Sequence, residues 1–138
     1  MTIINTKTLR YIAKNWEDSF YPKNVRSDEM LSFYAQYFRI VEINSKYYAI
    51  PKPNYFEGIV EDTSTDSRFK VIAHNDMTYG RNYNKSVFDQ FEEAIQPLVE
   101  AKRSNNVLMK FPKAFENTQE NIFNQHKEII SRYQLNKR

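Results

Sequence analysis

Apolar positions along this chain fall into short runs with β-branched residues, separated by longer stretches with helical spacing. Residues 9–13, Leu-Arg-Tyr-Ile-Ala, predict a first strand, and residues 14–22 a loop carrying the single tryptophan. Ser27 has the character of a helix N-cap, with Asp28 and Glu29 set to complement the positive end of the helix dipole. Met30, Leu31, Tyr34 and Phe38 then keep to one helical face.

The run that begins at Arg39 organises the rest. Ile40-Val41-Glu42-Ile43 is a short apolar strand pattern with a carboxylate inside it, and Asn44, Ser45, Tyr47, Tyr48 and Pro51 follow. This is the pattern of a buried parallel strand that delivers polar groups at its C-terminal end. A shorter helix is predicted over residues 54–62, weakened by Gly58, and a third strand over residues 69–74. Residues 75–84 form a loop. The strongest helical pattern covers residues 86–102, with Val87, Phe91, Ala94, Ile95 and Leu98 in period. Pro97 inside it predicts a kink or an early end. Residues 107–112 predict a fourth strand. Asn117 and Glu120 have capping-box spacing, ahead of a last helix with Ile122, Phe123, His126, Ile129, Ile130 and Tyr133 on one face.

Strands starting near residues 9, 39, 69 and 106 give units of about 30 residues, the length of a strand-helix-strand crossover. The predicted fold class is therefore α/β: a single domain over residues 1–138, with four consecutive βα units and a parallel four-stranded sheet.

Composition narrows the chemistry. The chain has 138 residues, 41% hydrophobic and 27% charged, as expected of one soluble globular domain. It has no cysteine, which excludes disulfides, thiolate catalysis and cysteine zinc sites and fits a reducing cytoplasm. Two glycines, Gly58 and Gly80, leave no material for a Gly-rich phosphate loop. The net charge of +3 is too mild to imply nucleic-acid binding, and short basic pairs such as Lys102-Arg103 read as solvated surface. No run approaches the roughly 20 apolar residues of a membrane helix. The opening Met1-Thr2-Ile3-Ile4 has no signal-peptide layout.

Several stretches, taken in order, resemble the YecE-like proteins, the family also called domain of unknown function seventy-two. They are Trp16 with Phe20-Tyr21-Pro22, then Leu31-Ser32-Phe33-Tyr34-Ala35 with Phe38. Val41-Glu42-Ile43-Asn44-Ser45 with Tyr48 and Pro51 follows, then residues 69–78, then Val107-Leu108 with Phe111-Pro112 and Phe115. The second-strand motif is the most specific of these. The resemblance covers about residues 9–133 and implies a TIM-barrel-like fold. The chain departs from the family pattern at four places. Asn15 stands for a usual glycine, Ile72 for a usual lysine, Tyr79 for a frequent histidine and Lys110 for a usual glutamine.

A closed barrel needs eight strands and about 250 residues, so four units make a half-barrel whose two sheet edges need covering. Self-association or a second half-barrel chain is the expected partner; no nucleic acid, membrane or cofactor is expected.

Sites in parallel-sheet folds form beyond the C-terminal strand ends. There the chain places Trp16, Glu42, Asn44, Tyr48, His74, Thr78 and Lys110, with Asp76 and Arg81 nearby. In an acid-base site Glu42 is the candidate base, His74 the acid or metal ligand and Lys110 the cation steadying an anion. Trp16, Asn44, Tyr48 and Thr78 are the candidate ligand-binding residues. Each has a structural alternative. Glu42 and Lys110 would explain each other as an ion pair, Asn44 as a turn cap, His74 as a satisfied strand-end histidine and Trp16 as a cap on the barrel. A metal site of Glu42, His74 and Asp76 has no spacing motif behind it. Two readings stay open: a diverged, truncated and non-catalytic half-barrel module, or a barrel enzyme acting on a small molecule or phosphate ester.

Overall fold

The structure is a computed structural model and describes residues 11–44, 49–78 and 85–111. After a short 3-10 turn at Lys14–Trp16, the elements are α1 (Ser27–Tyr37), β1 (Ile40–Ile43), α2 (Pro53–Asp62) and β2 (Arg68–Ile72). A second 3-10 turn (Asn75–Met77), α3 (Lys85–Glu100) and β3 (Ser104–Leu108) follow. The three strands lie side by side in the order β1-β2-β3, parallel throughout. Each pair of neighbours is joined by one helix, the expected crossover unit.

β1 and β2 are the second and third strands of the sequence reading. Of the first, residues 11–13 are irregular and residues 9–10 lie outside the described residues. The last helix, the capping pair Asn117 and Glu120, and residues 45–48 and 79–84 also lie outside them. β3 starts and ends earlier than the apolar pattern predicts, at Ser104–Leu108 instead of 107–112. Ser104, Asn105 and Asn106 are poor strand formers, so pairing rather than propensity sets this strand. The Phe69 N–H donates to the Arg103 carbonyl at 2.8 Å, which starts the ladder early. One extra residue in β3 then shifts the register, from Phe69 opposite Ser104 to Lys70 opposite Asn106.

Helix starts differ in detail from the sequence reading. Ser27 is the first helical residue and Arg26 holds the cap position. The Glu29 carboxylate accepts from the Arg26 backbone N–H at 3.2 Å, so a first-turn acid does the capping that a serine hydroxyl was expected to do. α3 runs three residues past Pro97. It closes with Ala101 N–H on the Pro97 carbonyl at 3.1 Å and Lys102 N–H on that of Val99 at 3.0 Å; Lys102 then turns left-handed at φ 56°.

Alternation along the strands separates two faces. Val41, Ile43, Phe69, Val71 and Ala73 are buried in one cluster with Met30, Leu31 and Tyr34 of α1, Phe56 and Ile59 of α2, and Phe88, Phe91, Ala94, Ile95 and Leu98 of α3. The opposite face carries Glu42, Lys70 and Asn106 in one row across the sheet, then Ile72 beside Leu108. Ile72 stands outside the helix-packed cluster yet is only 1% exposed. This second face is thus shielded at its centre.

Gly58, in the middle of α2, has nothing within 4 Å of where a Cβ would sit. Gly58→Ala should therefore raise the unfolding free energy by about 0.5–1 kcal/mol, from helix propensity and a less flexible unfolded chain. Urea denaturation at constant slope checks this.

Candidate functional site

The row on the face opposite the helix-packed cluster is built by strand pairing. Glu42, third residue of β1, is held by the ladder directly beside Lys70 of β2. It is 6% exposed, because the apolar run around it pulls the backbone into the sheet. Lys110 is not across from it. β2 separates β1 from β3, and Lys110 lies two residues past Leu108, exposed. The ion pair expected between Glu42 and Lys110 therefore gives way to a Glu42–Lys70 register. Sequence reading missed Lys70. Its signal was the alternation Arg68-Phe69-Lys70-Val71, which puts it on the face opposite two core residues.

His74 and Lys110 do come to matching positions, each two residues past the paired Ile72 and Leu108. His74 is buried and caps the second 3-10 turn: its Nδ1 accepts from the Asp76 backbone N–H at 3.2 Å. With Nδ1 engaged as an acceptor, Nε2 is the ring nitrogen not used by this cap. The Asp76 carboxylate is 3.7 Å from the same Nδ1 and could pair with it only on protonation. Thr78 is buried, and its hydroxyl is taken up by the Asn75 carbonyl at 3.2 Å. Asn44 follows β1 directly and is half-buried. Tyr48 and Arg81 lie outside the described residues.

Trp16 belongs to a different assembly. Its ring meets Phe20 edge-on at 5.9 Å and stacks on Tyr21 at 6.4 Å, and Phe20 continues onto Phe33, Tyr34, Tyr37 and Phe38. This aromatic cluster fastens the loop before α1 onto the helix, which explains the run of rings without a ligand. The Tyr21 hydroxyl donates to the Tyr11 carbonyl. Burial, then Tyr34, pushes the Tyr21 phenol up to about 12, and burial with Tyr55 and Tyr21 raises that of Tyr11 further. Both phenols stay neutral through the physiological range.

A buried cation sits at the other end of the sheet. Arg103 donates to the carbonyls of Ser67 and Val60 and to the Thr63 hydroxyl. Burial, then the charge of Arg68, lowers its pKa from the usual arginine value. It lies at the N-terminal ends of the strands, the end that serves stability in barrel folds. Among the described residues no cluster of three His, Cys, Asp or Glu could hold a metal ion, and no helix is long and apolar enough to cross a membrane.

Comparison with known proteins adds the family context. A family model described as a protein of unknown function, DUF72, matches residues 8–135. The UPF0759 protein YunF of Bacillus subtilis (strain 168) is 30% identical over 111 residues, which are 76% of this chain and 39% of that protein. Among solved structures, the DUF72 family protein TM1631 from Thermotoga maritima MSB8 aligns over 91% of this chain and 51% of its own, with a TM-score of 0.76 and 26% identity. The DUF72 family protein EF0366 from Enterococcus faecalis V583 aligns over 70% of this chain and 41% of its own, with a TM-score of 0.64 and 26% identity. The chain spans about half the length of TM1631 and less of the other two.

Proposed function

Because this chain belongs to the DUF72 family of proteins of unknown function, we propose that it is a diverged, non-catalytic half-barrel module that works by association rather than by turnover. The observation that carries this reading is Ile72. It takes the inner-face position where the family resemblance puts a lysine, and it is 1% exposed on the central strand. A water-filled mouth would leave that position wet. The groups around it point the same way. The His74 Nδ1 accepts, and the Thr78 hydroxyl donates, within their own turn. Trp16 is spent in the aromatic cluster, and Lys110 is exposed and two strands away from Glu42.

One observation favours the other reading, a barrel enzyme using acid-base chemistry on a small molecule or phosphate ester. Glu42 is a carboxylate kept at 6% exposure in mid-strand, and buried ionisable groups gather at functional sites. The two readings separate on a thermal-shift screen of phosphate esters, sugars and carboxylic acids, run on the parent and on Glu42→Gln. The non-catalytic module predicts that no compound stabilises the parent selectively, and that Glu42→Gln folds at least as stably as the parent. A compound that stabilises the parent and loses its effect in Glu42→Gln would overturn it.

The proposed partner is a second half-barrel, most simply another copy of this chain, set against β3. β3 borders the sheet among the described residues, and Val107 and Leu108 on it are only partly buried where Val71 and Ile72 on β2 are fully buried. An unpaired parallel edge of this kind invites another strand. Light scattering on a sizing column should give a mass near twice 16.6 kDa. A stable monomer would remove the partner from the reading.

A further inference from the structure

We draw no further inference here: the strongest candidate, the partly exposed aromatic patch of Phe20, Phe33 and Tyr37 at the C-terminal end of α1, is an apolar face for which nothing in the structure shows what covers it.

Discussion

Ile72→Lys should lower the unfolding free energy by about 3–5 kcal/mol, the scale of an uncompensated buried charge. Ile72 sits on the middle strand, flanked by β1 and β3, with 1% of its surface exposed. A lysine there has three options. It can bury its ammonium, give up the proton, or force the covering residues apart, and each costs several kcal/mol. Glu42 does not offer an easy escape, because the ladder sets it beside Lys70, two residues short of Ile72 on β2.

The charge origin of the loss has its own signature. A buried lysine has a folded-state pKa depressed below its unfolded value of about 10.4. Between those two values the unfolded chain holds more protons than the folded one, so stability rises with pH. The deficit of Ile72→Lys should therefore shrink as pH climbs toward about 10, while a volume-conserving Ile72→Met stays within about 1.5 kcal/mol of the parent at every pH. Urea denaturation of both variants across pH measures it. If Ile72→Lys matched the parent at neutral pH, water would have to reach the face that carries Ile72. That face would then be open to solvent, as a barrel enzyme's mouth would be.

How far the sequence announced this structure depends on which force placed each residue. α1, α2, α3, β1 and β2 follow apolar periodicity, because burial against a common core decides them. Their cores, from Met30 and Tyr34 to Phe91 and Leu98, are the residues the pattern selects. β3 escaped at its start, since Ser104-Asn105-Asn106 has no strand signature and is held there by hydrogen bonds to β2.

The candidate site was legible one strand at a time. Glu42 stood out because a carboxylate inside an apolar run is costly. Its neighbour could not be read, because register depends on strand order and strand order is not local. Lys70 was therefore passed over, and Lys110 was paired with a residue two strands away. The Lys102-Arg103 pair shows the same limit. Both read as solvated, yet Lys102 is exposed in a left-handed turn while Arg103 is 4% exposed. Adjacent charges in a sequence face opposite ways at the start of a strand, and no local pattern says which one points inward.

Arg103 yields the second large effect. Its Nε donates to the Ser67 carbonyl at 2.8 Å, one terminal nitrogen to the Val60 carbonyl at 3.3 Å, and the other to the Thr63 hydroxyl at 2.5 Å. Val60 lies in the last turn of α2 and Thr63 caps it, so the cation sits on the negative end of that helix dipole. The guanidinium carbon is also 5.2 Å from the centre of the Phe69 ring. One side chain thus ties the end of α2, the start of β2 and the turn between α3 and β3.

Replacing a buried ion pair by apolar residues is often harmless, because both charges leave together. Arg103 differs: its partners are two backbone carbonyls and a hydroxyl. The carbonyls cannot be mutated away, and removing the guanidinium leaves them buried without that donor. Arg103→Met keeps most of the stem and should cost about 3–4 kcal/mol. Arg103→Lys keeps the charge but not the planar fork, and should cost about 2 kcal/mol. Adding Thr63→Val to Arg103→Met should cost less than the sum of the two single changes, since the hydroxyl then has no guanidinium to lose. Denaturation curves for the parent and these four variants test this. A loss below about 1 kcal/mol for Arg103→Met would mean that desolvating the charge had cancelled its hydrogen bonds, and that apolar packing alone holds this end of the sheet.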